Sequence, residues 1–438
     1  MPQLSTRFDT ETFEAFLAER REPAWLTALR RRAWETFQEL PLPDRSLEEW
    51  MRTDIRGFHL DQFALPGPSA DGRALPRAVL GEGVALGGTA TTCDSRFFSG
   101  QLDDQLARQG VVFGSLDAWM ASQDDDLVER FRPYLFAAVD GSADKFAALH
   151  AACWSGGVVL YVPRGLVVEQ PLHMLSALSP GGVDFGHVLI ILDEGAEATV
   201  LAETASREAA AIGLHCGAIE IYLRPRARLR YVNLQDWGTG VWHFAHQHAL
   251  VDRHATLQWT IGALGGRLAK VNQHVSLIGP HSETQVNGVM FTEGKQHLSY
   301  HTLQHHQAPA CKSDLLYKGA LQDTSRLVWR GMIKVDRDAQ KTDGYQRDDN
   351  LLLSEDARAD SIPGLEIQAD DVKCSHGATA GCVDDELIFY AGCRGLNRQE
   401  AIRLIVTGFF QQVFDRVTIP SVRDALAAAV GRRIREYR

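Results

Sequence analysis

Leu192-Asp193-Glu194-Gly195-Ala196, Leu223-Arg224-Pro225-Arg226-Ala227 and Val251-Asp252-Arg253-His254-Ala255 share one pattern: an apolar residue, three polar or turn-forming residues, then a small residue leading into the next apolar run. The pattern returns as Ile278-Gly279-Pro280-His281-Ser282, Leu321-Gln322-Asp323-Thr324-Ser325 and Leu353-Ser354-Glu355-Asp356-Ala357. The small residues stand at 196, 227, 255, 282, 325 and 357, so four of the five gaps lie between 27 and 32 residues and one is 43. Between them run short β-branched or aromatic segments such as Val158–Val162, Val188–Leu192 and Ala218–Leu223, each bounded by turn residues. A propeller needs longer repeats of four strands, and a sandwich shows no such period. The spacing predicts a right-handed parallel β-helix over residues 151–378, in which each rung covers the apolar face of its neighbour.

A coil of this kind leaves apolar rungs bare at its ends, and the flanking sequence is helical. Residues 1–60 carry Phe13, Phe16 and Leu17 on one predicted helix, then Trp25, Leu26, Leu29, Trp34 and Phe37 on a second that Pro23 opens. Ser46 opens a further turn through Trp50. Residues 61–150 read as a linker, rich in Pro, Gly, Ser and Asp up to 77, followed by a mixed segment. From 379 to 438 the chain is helical again: Asp384 caps one helix and Asn397 with Glu400 forms a capping box for the next. That helix carries Ile402, Ile405, Phe409 and Val413 on one stripe with Phe410 and Phe414 beside it. A last helix follows Pro420. Caps at both ends of the coil are the expectation, and packing on the coil is the default use of the aromatic stripe.

The chain has 438 residues and a net charge of -11, with 45% hydrophobic and 23% charged residues. That field attracts neither nucleic acid nor an anionic membrane surface. No apolar run reaches membrane-spanning length and the first residues lack an apolar signal core, so a cytoplasmic protein is expected. Seven cysteines at 93, 153, 216, 311, 374, 382 and 393 form neither a disulfide framework nor a known cluster-binding spacing, and most read as core thiols.

The candidate chemistry sits at Val372-Lys373-Cys374-Ser375-His376-Gly377-Ala378-Thr379, where strand-like sequence gives way to helix. In extended chain Cys374 and His376 project to the same face and could share one metal centre. The plainer reading is a buried thiol beside a surface imidazole. Histidines crowd two places, His243, His246 and His248, then His297, His301, His305 and His306. His246 and His248 share a strand face that permits a metal site, but with no carboxylate or thiol at matching spacing a solvated polar face is the plainer reading. Gly288 to Gly294-Lys295-Gln296 departs from a phosphate loop in glycine spacing and in lacking Ser or Thr after the lysine. The competing function for a β-helix is a carbohydrate-active enzyme, a polysaccharide lyase or hydrolase. It would need convergent carboxylates, yet Asp124-Asp125-Asp126 and Asp348-Asp349 fall outside the repeat pattern or in turns.

Several stretches carry a family resemblance: Lys145-Phe146-Ala147-Ala148-Leu149 with Trp154-Ser155-Gly156-Gly157, Leu316-Tyr317-Lys318-Gly319-Ala320, Ala339 to Gln346, Asn350 to Ser354, Leu365-Glu366-Ile367 and Val372 to Thr379. With Leu47-Glu48-Glu49-Trp50 they resemble the SufB/SufD family of the Suf iron–sulfur assembly system. SufB would carry Glu after the histidine and Cys upstream, where this chain has Gly377 and Ala357, so the resemblance is to the SufD branch. It implies a non-ATPase subunit that pairs with SufB through the β-helix, or with itself when alone. It further implies docking of the ATPase SufC through the C-terminal helices at Ile402, Ile405, Phe409 and Phe410. His376, with Cys374, would then serve as an interface ligand for iron or a transient Fe–S cluster shared with SufB. A reduced flavin is compatible with the family, but no residue here is assigned to it.

Overall fold

The computed structural model describes residues 8–20, 22–65, 75–122 and 125–434. Most of the expected linker, 66–74, and Asp124 of the acidic run lie outside them. The strands form two long sheets, and from Gly156 onward every pairing between neighbours in a sheet is parallel. Successive strands alternate between the sheets, so the chain coils as the repeat predicts, and the body is a parallel β-helix.

The five-residue pattern is the turn at each corner. Its fourth position is left-handed in Gly195, Arg226, His254 and His281, with φ of 69°, 63°, 57° and 61°. In that conformation the amide points along the coil axis. Gly195 N donates to Pro225 O (2.9 Å), Arg226 N to Arg253 O (2.9 Å), His254 N to Pro280 O (3.1 Å) and His281 N to Pro309 O (3.2 Å). The column continues through Ala310 N to Gln340 O (2.8 Å) and ends at Lys341 N to Asp371 O (2.6 Å). The next residue turns inward beneath the neighbouring rung, which is why it is small: Ala196, Ala227, Ala255, Ser282, Cys311 and Thr342 are all buried.

The column corrects the register read from the sequence. Ser325 and Ala357 belong to the opposite corner, where strands of the first sheet pass to the second. The true successors of Ser282 are Cys311 and Thr342, and the gap of 43 arose from changing corners. Cys311 and the β-branched Thr342 stand where the pattern had Ala or Ser, which concealed the continuation.

Strand residues are apolar on both sides because both sides are covered. In Arg228–Asp236, Leu229 and Tyr231 face the interior while Val232 and Leu234 face outward against the C-terminal helices. Ala401, Ile402, Val406, Phe410, Val413 and Phe414 of the helix Arg398–Phe414 bury their stripe on that outer face, together with Val289, Phe291 and Leu316. The helices Thr10–Arg20, Ala24–Glu39 and Lys145–Cys153 cover the other sheet, their Phe13, Trp34 and Phe146 sharing one buried cluster with Trp50 of the following turn and Phe244 of the sheet. The helices therefore flank the coil instead of capping its ends, because the larger apolar areas are the sheet faces.

The N-terminal end is closed by strands: Gly88–Cys93 and Arg96–Leu102 form an antiparallel hairpin, and Val112–Ser115 pairs antiparallel with Gly156–Val162. Phe97, Leu102, Leu106 and Phe113 pack from there onto the interior. Sheet structure thus begins well before Gly156. Two buried glutamates fasten these approaches. Glu203 accepts the amides of Val79, Leu80 and Gly81, and Glu220 those of Phe136, Ala138 and Val139.

Candidate functional site: the open end of the coil

Arg358–Ile367 and Val372–Cys382 are the last strands of the two sheets, each paired on one side only. Inward positions that are buried one rung earlier lie open here. Ile333 and Val335 have no exposure, whereas their register partners Leu365 and Ile367 are 36% and 39% exposed. Among the described residues, nothing covers this end.

Cys374 and His376 lie within the strand Val372–Cys382, and not at its exit to helix as the sequence reading held. Cys374 pairs with Gly344 and His376 with Gln346, so both side chains fall on the inward face of the terminal rung. The thiol is half-buried against Ile333, Val335, Ala339 and Ala369, while the imidazole is exposed. Burial pushes the Cys374 thiol up, opposed by the Gly344 amide and assisted by Asp343. The protein therefore presents a thiol that must lose its proton before it can bind a metal.

Behind this pair lies a polar set that sequence reasoning missed. Gln346 and Asp348 are fully buried on the inward face of the neighbouring strand. Asn350 Nδ2 donates to Asp348 Oδ2 (2.6 Å), as does the Ser361 hydroxyl. Burial raises the Asp348 carboxyl to about 7, and its Oδ1, like Gln346 Oε1, has no hydrogen-bond partner. Asp348 and Asp349 are thus strand residues facing opposite ways, not turn residues. Asp349, on the outer face, binds Arg347 (2.9 Å) and the Thr379 hydroxyl (2.7 Å). The available signal was a pair of acids interrupting an otherwise strand-like run.

The histidine groups are not solvated faces. His243 sits inside the coil with Nδ1 2.8 Å from Nδ1 of His215, and burial holds it down to about 3. His246 Nε2 meets Asp144 (3.1 Å), which caps the helix Lys145–Cys153. His248 binds Ala138 O (2.6 Å) and the Ser276 hydroxyl (2.9 Å). His305 binds Asp336 (2.8 Å) and His306 binds Ser313 (2.8 Å). Among the described residues no three His, Cys, Asp or Glu side chains are grouped to hold a metal ion. Cys374 and His376 offer two donors, half of a four-ligand set.

Of the proposed docking residues, Ile402 and Phe410 are buried and Ile405 and Phe409 partly so, with Lys318 Nζ 4.5 Å above the Phe409 ring. The apolar side chains these helices expose are Leu387, Tyr390, Leu404 and above all Phe389, at 75%.

Residues 175–409 match the family model described as SUF system FeS cluster assembly, SufBD core domain, and residues 11–174 match the SufBD protein N-terminal region. An iron–sulfur cluster assembly SufBD family protein of Mycobacterium leprae is 32% identical over 296 residues, covering 66% of this chain and 74% of the relative. One from Staphylococcus epidermidis is 26% identical over 400 residues, covering 89% and 85%. A third, from Mycobacterium tuberculosis, is 31% identical over 296 residues.

Proposed function

Because this chain belongs to the SufBD family of iron–sulfur cluster assembly proteins, we propose that it is the SufD-type, non-catalytic subunit of a cytoplasmic Suf complex. Its open coil end pairs with SufB, and its C-terminal helices dock the ATPase SufC. The observation that carries the pairing is the bare terminal rung. Leu365 and Ile367 are interior residues with no rung above them, and the adjoining strand edges carry unpaired backbone groups. A partner coil presenting its own last rung would complete both sheets and the interior together; without SufB, a second copy of this chain is the occupant.

Such pairing would bring His376 and Cys374 against the partner's donors. Iron, or the nascent cluster, is cargo here: His376 contributes an imidazole, Cys374 a thiolate once deprotonated, and the partner supplies the remaining thiolates. Cys374 is the secondary ligand because its proton is held by burial. For the ATPase, the exposed Leu387, Phe389, Tyr390 and Leu404 form the contact, while Ile402, Ile405, Phe409 and Phe410 hold the helix to the coil beneath it.

The test is co-purification with SufB and SufC, followed by iron and acid-labile sulfide analysis. Stable association, with metal content that falls in His376→Ala, supports the reading. A monomer that ignores SufB and turns over a polyuronide would support the carbohydrate-enzyme alternative.

A further inference from the structure

The flank of the coil carries a cleft whose chemistry the assembly role does not use. The N-terminal segment around residues 54–58 crosses the sheet edge where successive strands begin, leaving a space of about 480 Å³ lined by Arg56, Gly57, Trp242, Arg267, Lys295 and His297, among others. Beside it, sharing Asp54 and Arg56, is a second space of about 500 Å³ whose apolar walls include Leu42, Pro43, Ile55 and Phe58.

The charges in the first compartment do not cancel. Its carboxylate, Asp54, is engaged by Arg56 (2.6 Å), and neither Arg267 nor Lys295 makes an ion pair with a described carboxylate. Arg267 lies with its guanidinium 4.9 Å from the Trp242 ring centroid, which steadies a side chain that solvent would otherwise leave free. His297, held down to about 4 by burial and by Arg326, adds no charge, and its Nε2 has no partner. Two uncompensated cations thus converge on one hollow in a chain whose net charge is -11. A guanidinium fork and an ammonium together favour a dianion over a monoanion, because both charges are then used.

We propose that this cleft binds a phosphorylated small molecule with an apolar body, the phosphate between Arg267 and Lys295 and the body over Ile55 and Phe58. Lys295 belongs to the Gly294-Lys295-Gln296 stretch that failed as a phosphate loop. Here it acts through its side-chain charge, with no cradle of backbone amides. The compartment is a single hollow and not an extended basic track, which favours a small anion over a nucleic-acid strand.

Calorimetric titration of the full chain with 1-naphthyl phosphate, pyrophosphate and 1-naphthol tests this. Naphthyl phosphate should saturate at one molecule per chain, pyrophosphate should bind more weakly, and naphthol should give no saturable heat. Arg267→Gln and Lys295→Gln should each weaken naphthyl phosphate by about tenfold. Arg403→Gln, on an exposed helix position, should leave it unchanged. Both cleft cations are exposed, and unchanged thermal melts will confirm that the variants fold. No saturable binding of naphthyl phosphate, or equal affinity in the Arg267→Gln/Lys295→Gln double variant, overturns the proposal. So does displacement by an equimolar single-stranded oligonucleotide, which would mark the cleft as a nucleic-acid contact.

Discussion

Gln346 and His376 are register partners on the last pair of parallel strands, yet Gln346 is fully buried and His376 is exposed. The same inward position changes from interior to surface in one rung because no further rung follows. If a partner coil supplies that rung, His376→Ala should lower iron and sulfide per complex while changing stability by no more than about 0.5 kcal/mol. Cys374→Ala should have the smaller effect on metal and the larger on melting temperature. Metal analysis beside thermal melts of each variant decides it, and unchanged cluster content in His376→Ala would end the ligand assignment.

The corner column predicts a stabilising substitution. Ala310 holds φ at 58° to donate its amide to Gln340 O. Left-handed backbone costs a non-glycine residue about 1–2 kcal/mol, partly offset by the greater chain entropy of glycine in the unfolded state. Ala310→Gly should therefore raise stability by roughly 0.5–1 kcal/mol, read as a higher denaturation midpoint with an unchanged slope. Ala310→Val should lower it.

Asp348 gives stability a defined pH dependence. Its carboxyl is raised from 3.8 to about 7 by burial, more than the Ser361 and Asn350 hydrogen bonds lower it. Between those values the folded protein holds a proton that the unfolded chain has released, so this group's contribution declines as pH rises from about 4 to 7. Above that range the folded state carries the full cost of a buried carboxylate. Asp348→Asn should accordingly stabilise the protein more at pH 8 than at pH 4, with urea titrations at the two values as the measurement. An equal effect at both would show that Asp348 is not held protonated.

Glu220 fastens the segment before the coil. It accepts three backbone amides, from Phe136 (2.6 Å), Ala138 (2.7 Å) and Val139 (2.9 Å), and lies 3.1 Å from His187 Nε2. Glu220→Ala leaves all three donors without an acceptor in a dry site, at a cost of about 3–5 kcal/mol. Hydrogen exchange should accelerate at residues 136–139 before it does in the coil.

For the ATPase, Phe389→Asp and Leu404→Asp should weaken binding without altering the melting temperature, since both side chains are exposed. Phe410→Ala should instead destabilise by about 3–5 kcal/mol, because its ring is buried between helix and coil. Pull-down and melting experiments on the three variants separate docking from packing. Full ATPase binding by both Asp variants would move the contact elsewhere.

The sequence by itself determined what local geometry and periodicity determine. The corner pattern requires a turn and then a residue small enough to pass under the next rung, so it announced the coil. Alternation placed Cys374 and His376 on one face, and Asn397 with Glu400 marked a helix start that the structure shows as a full capping box. What only the tertiary structure decided depends on residues far apart in the chain. The flanking helices chose the sheet faces over the coil ends because more apolar area lay there, leaving one end bare. Asp144 reached His246 across about a hundred positions, and Arg56, Arg267 and Lys295 converged from three separate segments. No local pattern encodes such meetings, because each is fixed by which surfaces bury the most apolar area once the whole coil is formed.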